Sequence, residues 1–285
     1  MEIRTVGVVG GGQMGKGIVQ VCLTSGLAVI LNDVSDAILA GSRAGIEKGL
    51  DILVRKEKIS PRDKESMAAN LNTSSSLAGF SACDFVVEAA TEKEAVKLSL
   101  FRELDRILPE GTILATNTSS LPITKIASAT RRPGKVIGMH FMNPVPLMKL
   151  VEVIPGLGTE RETVDATMAL ARRLGKEPVS SADYPGFTAN RILMPMINEA
   201  VFALMEGVGR AEDIDAILRM GANHPMGPLA LADLIGLDTC LEVLQVMQEG
   251  FGDPKYRPCP LLRKYVEAGR LGRKSGRGFY EYEKS

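Results

Sequence analysis

Short apolar runs alternate with longer amphipathic stretches over about residues 5–180 of the chain. The runs at 5–9, 28–32, 85–88, 113–116, 136–140 and 150–154 are apolar, several of them rich in β-branched residues, and are bounded by Gly, Asp, Asn or Pro. Strands buried on both faces, as in a parallel sheet, read this way. Helical spacing fills the intervals near 14–25, 35–58, 92–107 and 160–174, and the RKEK run at 55–58 reads as the solvated end of a helix. The alternation predicts an α/β fold with a doubly wound, mostly parallel, Rossmann-like sheet. The texture changes at Tyr184-Pro185-Gly186. Beyond it come helix-length segments at 188–207, 211–219, 228–248 and 260–269 and almost no strand candidate, so the expected domains are 1–184 and an all-helical 185–285. The segment ILMPMINEAVFALM is apolar nearly all round and needs a second apolar partner, which predicts a homodimer through this half. Pro185-Gly186 is the expected hinge.

Composition narrows the classes. The 285 residues carry 34 basic and 34 acidic side chains, so the chain has no net field to attract a phosphate backbone, and nucleic acid is not the expected partner. Four cysteines, Cys22, Cys83, Cys240 and Cys259, lie far apart without metal-like pairing and read as reduced, mostly buried thiols; no metal is expected. No stretch reaches the roughly 18 apolar residues of a membrane span, and the first residues lack the pattern of a secretory signal. A cytoplasmic protein without a membrane partner is the expectation.

The segment TVGVVGGGQMGKGIVQVC places Gly10, Gly12 and Gly15 in G-x-G-x-x-G spacing between a predicted strand and a predicted helix. Gly10 would permit the tight turn, Gly12 the approach of a pyrophosphate, and Gly15 close packing of helix on strand. Asp33 ends the next apolar run, where a carboxylate accepts from adenosine ribose hydroxyls and repels a 2′-phosphate. NAD is therefore expected over NADP, with Arg43 as the nearest cation in the following helix. The plainer account is an unliganded glycine turn, with Asp33 capping a helix.

Hydride chemistry on an alcohol needs a base for the hydroxyl proton, and the chain has two histidines. His140 ends the run KVIGMH, at the strand terminus that lines the ligand crevice in such sheets. Glu152 lies in the next run, KLVEVIP, where an unpaired carboxylate would be costly, and His140 is the economical partner. Alternatively His140 is a hydrogen-bonded core residue, and Glu152 a carboxylate facing water. His224, in GANHPMGP, is the rival base, although a turn role suits its Gly- and Pro-rich surroundings better. The polar run Thr116–Ser120 follows an apolar strand and could cap the next helix or bond a substrate oxygen, and Asn190 could cap a helix or line the interdomain cleft.

The glycine loop, ATNTSSLPIT, KVIGMHFMNPVPLMKLVEVI, PGFTANRILMPMINEA, GANHPMGPLALADLIGLD and GRKSGRGFY together resemble 3-hydroxyacyl-CoA dehydrogenases over essentially the whole chain, above all the short-chain bacterial members. The resemblance implies a Rossmann-like NAD domain followed by a helical substrate and dimerisation domain. It also implies interconversion of 3-hydroxyacyl-CoA, such as 3-hydroxybutyryl-CoA, and the 3-ketoacyl-CoA, acetoacetyl-CoA in that case. Carried over, the family's catalytic pair falls on His140 and Glu152, and its contacts to the substrate oxygen on Ser119 and Asn190. Its NAD contacts fall on Gly10, Gly12, Gln13, Met14, Gly15, Asp33, Glu92, Lys97, Asn117, Ser119, Asn143 and Lys274. Lys56, and after it Lys48, would meet the CoA end. Two other readings stay open: a β-hydroxyacid dehydrogenase acting on a free acid, and a non-enzymatic NAD-binding protein.

Overall fold

The computed structural model describes residues 2–283. Two compact units make up the chain, Met1–Asp183 and Tyr184–Ser285. In the first, eight strands form one sheet: β1 (Thr5–Val9), β2 (Ala28–Asn32), β3 (Leu71–Ser74), β4 (Phe85–Glu88), β5 (Ile113–Thr116), β6 (Val136–Phe141), β7 (Leu150–Pro155) and β8 (Glu177–Ser180). Their order is β3-β2-β1-β4-β5-β6-β7-β8, and every neighbouring pair is parallel except β6 with β7. The connection reverses direction at β1, between β2 and β4, which is where open sheets of this kind take their ligands.

Helices α1 (Gln13–Thr24), α2 (Asp36–Arg55), α3 (Pro61–Ala69), α4 (Glu94–Ile107), α5 (Ile123–Ala127) and α6 (Arg161–Arg173) complete this unit. Ile18, Val19 and Cys22 of α1 join Val6, Val8, Val29, Leu31, Phe85 and Val87 in one core cluster. Local chemistry sets the helix starts. Ser60 and Asp63 form a reciprocal capping box at α3, with Pro61 in its first turn, where a missing N–H costs nothing. Ser35, not Asp33, caps α2. The short α5 follows the polar run at 116–120, but its leading amides are taken from elsewhere. Asp183, sixty residues away, accepts from Ile123 N, Thr124 N and Thr124 Oγ1.

The second unit contains α7 (Ala189–Met205), α8 (Ala211–Gly221), α9 (Pro228–Ile235), α10 (Leu237–Phe251) and α11 (Pro260–Glu267). Met194, Ile197, Val201, Leu229, Leu237, Leu244, Met247 and Leu262 form its core. The stretch expected as one helix over 228–248 is two. Gly236, at φ +107°, breaks it, because a residue in that backbone region cannot continue a right-handed helix. Two buried carboxylates organise the remainder. Asp215 accepts from Leu229 N and Ala230 N in the first turn of α9 and from the Tyr280 hydroxyl. Asp233 accepts from Phe279 N, Tyr280 N and the Tyr282 hydroxyl, and so clips the C-terminal segment to α9.

Candidate active site

The glycine loop leaves β1 at Gly10, whose φ is +103° and where a Cβ would lie 2.5 Å from Ala89 O. A Cβ on Gly15 would lie 1.8 Å from Gly10 O, so α1 can close on the strand end only with glycine there. At Gly12, the residue capping α1, a Cβ would meet nothing within 4 Å. The protein thus leaves open space above the loop's second glycine, at the N-terminus of a twelve-residue helix, where unpaired amides and the helix dipole favour a phosphate. Asp33 follows β2, and its Oδ2 accepts from Gly11 N at 2.7 Å, which ties this carboxylate to the glycine loop. Gln13 Nε2 donates to Asn143 Oδ1 at 3.1 Å, joining the loop to the segment after β6, where the Asn143–Pro144 bond is cis. These residues fit a dinucleotide.

His140 and Glu152 are directly paired across the antiparallel β6–β7 ladder. Such neighbours have Cβ atoms about 4.5–5.5 Å apart, close enough for an imidazole to reach a carboxylate. His140 Nδ1 lies 2.8 Å from Glu152 Oε2, and both side chains are buried. A carboxylate on Nδ1 favours the tautomer protonated there, which leaves the Nε2 lone pair as the ring's base. His224 sits half-buried in the loop after α8, with its amide bonded to Leu218 O.

A second polar cluster lies at the ends of β4 and β5. Glu88 and Thr116 are cross-strand partners, and Thr116 Oγ1 donates to Glu88 Oε2 at 2.7 Å. Lys97, on α4, is 1% exposed, and its ammonium meets Glu88 Oε1 at 2.7 Å and Glu92 Oε2 at 3.3 Å. Glu92 Oε1 accepts from Thr118 Oγ1, from Ser119 N at 2.9 Å and from Ser120 Oγ at 3.1 Å. Burial pushes the Glu92 carboxyl up, but Lys97 and these donors outweigh it and hold the group below its ordinary value. The hydroxyl run therefore serves two carboxylates, and Asn117 Oδ1 accepts from Phe141 N beside His140. Ser119, Asn117, Glu92, His140, Glu152 and Asn143 all stand in the first unit with the glycine loop.

Lys97, read as a cofactor contact, is sequestered by its two carboxylates. Lys48 is exposed on α2, and Lys56, also exposed, is that helix's C-terminal cap. Asn190 is the second residue of α7 and half-buried. Lys274, in the second unit, lies 2.6 Å from the Asp238 carboxylate. Glu88 escaped sequence reading altogether. Its signal was a carboxylate ending the wholly apolar run FVV, with a lysine nine residues later as its buried counter-charge.

The sheet order, the glycine loop and the acidic residue after β2 define a Rossmann-type nicotinamide-nucleotide dehydrogenase domain. Residues 5–184 match the model of the 3-hydroxyacyl-CoA dehydrogenase NAD binding domain, and residues 186–282 that of the same enzymes' C-terminal domain. The chain belongs to the 3-hydroxyacyl-CoA dehydrogenase family, and its cofactor is NAD. It is 53% identical to a probable 3-hydroxybutyryl-CoA dehydrogenase of Bacillus subtilis over 99% of each chain. It is 42% identical to the human mitochondrial hydroxyacyl-coenzyme A dehydrogenase, over 99% of this chain and 92% of that one. The crystal structure of (S)-3-hydroxybutyryl-CoA dehydrogenase from Ralstonia eutropha superposes with a TM-score of 0.96 at 50% identity, covering 99% of this chain and all of that one.

Proposed function

We propose that this chain interconverts short-chain 3-hydroxyacyl-CoA, 3-hydroxybutyryl-CoA foremost, and the corresponding 3-ketoacyl-CoA. The observation that carries the reading is the buried His140–Glu152 pair at 2.8 Å, at the ligand-facing end of a dinucleotide-binding sheet. The relatives' names support the thioester. NAD, when bound, supplies the hydride acceptor or donor for the substrate's C3. His140 Nε2 takes the 3-hydroxyl proton in oxidation and returns it to the ketone oxygen in reduction, while Glu152 holds Nδ1 and stabilises the imidazolium. Ser119 and Asn190 donate to the same oxygen. Gly10, Gly12, Gln13, Met14 and Gly15 form the phosphate loop, Asp33 reads the ribose, and Asn117, Asn143, Glu92 and Lys274 complete the cofactor contacts. Lys97 contributes to that set through Glu92. Lys56 and Lys48 meet the CoA phosphates.

The helical domain, taken as 185–285, serves substrate closure and dimerisation, and the NAD domain is taken as 1–184. Large apolar side chains on the helical unit, among them Ile192, Val208, Ile217 and Met220, are 63–80% exposed, and that surface supports a homodimer. Sedimentation as a monomer at micromolar concentration would remove the dimer. No helix among the described residues is long and apolar enough to cross a membrane. A cytoplasmic enzyme of fatty-acid or butanoate metabolism fits that.

The deciding experiment follows NADH consumption with acetoacetyl-CoA, longer 3-ketoacyl-CoAs and free acetoacetate, each repeated with NADPH. Fast turnover with acetoacetyl-CoA and NADH, and little with the free acid or NADPH, is expected. Preference for the free acid would overturn the thioester reading.

A further inference from the structure

Glu88 takes no part in the reaction as described, yet it is 0% exposed and charged. An apolar side chain would fill a buried strand position without the desolvation cost that a carboxylate carries. What Glu88 does instead is anchor a chain of alternating charge. Its Oε1 accepts from Ala90 N at 2.8 Å and from Lys97 Nζ at 2.7 Å, and its Oε2 accepts from Thr116 Oγ1 and lies 2.8 Å from the same ammonium. Lys97 passes the interaction to Glu92, and Glu92 gathers Thr118, Ser119 and Ser120. The inner two members are at most 1% exposed, whereas the Glu92 side chain is 37% exposed, so the chain is rooted in the core and ends at the polar loop.

Two carboxylates compete for one ammonium. Glu88 holds Lys97 the more closely, 2.7 Å against 3.3 Å for Glu92, which leaves Glu92 outermost, with one oxygen turned to the Ser119 amide. Without the inner charge, Lys97 would draw Glu92 inward and away from that amide. We infer that Glu88 is a positioning residue for the reaction, acting through Lys97 and Glu92 to hold Ser119 where it meets the substrate oxygen. The inference rests on the role given to Ser119 above.

A double-mutant cycle tests it, with Glu88→Gln keeping the shape and removing the charge. Turnover of acetoacetyl-CoA should fall about 10- to 100-fold in Glu88→Gln, the loss falling on kcat, as displacing a substrate-orienting group by an ångström can cost that much. In a Ser119→Ala background the same change should cost less than about twofold, because both substitutions remove one contribution. A purely structural role would multiply the two losses, and equal factors in both backgrounds would overturn the inference while leaving Ser119's role intact. Full turnover in Ser119→Ala alone would instead overturn the reading of Ser119, and this inference with it. Should Glu88→Gln fail to fold, Glu88→Gln/Lys97→Met removes both buried charges at once, and its activity with and without Ser119→Ala supplies the same ratio.

Discussion

The two units bury charge to different ends. In the first, Glu88, Lys97, His140 and Glu152 converge on the ends of β4 to β7, where Glu88 is paired with an ammonium and Glu152 with an imidazole. In the second, Asp215 and Asp233 are equally buried, yet their partners are backbone amides and tyrosine hydroxyls that fasten α9 and the C-terminal segment. A buried carboxylate is thus no mark of chemistry by itself. What distinguishes the two is the partner: a basic side chain at the strand ends in the first unit, and amides and tyrosine hydroxyls that fasten the chain in the second.

Substitutions on either side should separate turnover from stability. The largest effect is expected at His140. His140→Gln should lower kcat by about 10²–10⁴-fold, the usual worth of a positioned acid–base, with NADH binding, read from its fluorescence, near normal. A variant that keeps most of its turnover would place the base elsewhere. Glu152→Gln should cost less, about 10- to 100-fold, because a charged hydrogen bond of roughly 1.5–3 kcal/mol is lost while the imidazole stays. The loss should fall on kcat, and a variant that keeps most of its turnover would break the pair.

Asp233→Asn should behave in the opposite way: turnover per folded molecule unchanged, and unfolding easier by about 1–3 kcal/mol in urea melts, as partners of a buried acceptor lose it. Burial pushes the Asp233 carboxyl above its ordinary 3.8, in spite of the donors around it. Its contribution to stability is then full below 3.8 and declines as pH rises through the raised value, since the folded state binds the proton more tightly. That slope should vanish in Asp233→Asn; an identical pH dependence would sink the assignment. The smallest effect is expected at the thiols. Burial pushes Cys22, Cys83 and Cys240 up to about 12 and raises Cys259 as well, so iodoacetamide should label none of them at neutral pH before the chain unfolds.

The sequence announces elements whose burial is one-sided or complete, and hides those held by backbone pairing alone. β1, β2, β4, β5, β6 and β7 carry apolar runs and are legible from them. The edge strands β3 and β8 are not, since LNTS buries only Leu71 and EPVS has no fully buried residue. An edge strand needs only backbone partners on one side, and Pro178 is tolerated there for the same reason. The antiparallel turn from β6 to β7 leaves no trace in the pattern either, although it is what sets His140 opposite Glu152. α3 went unread because none of its residues is buried. At the site, His140 and Glu152 are rare residue types in apolar runs and stand out. The Glu88–Lys97–Glu92 chain does not, since it depends on α4 folding back over β4 and β5.

Because His140 and Glu152 are rungs of one ladder, their separation is inherited from the spacing of two strands and not from any loop. The length of the segment between the strands, residues 142–149, therefore does not set the geometry of the pair, although that segment is itself held by the Gln13–Asn143 bond and by the buried Val145. A one-residue slip of β6 against β7 would turn one member of the pair to the far side of the sheet, so evolution and design alike are bound at the register.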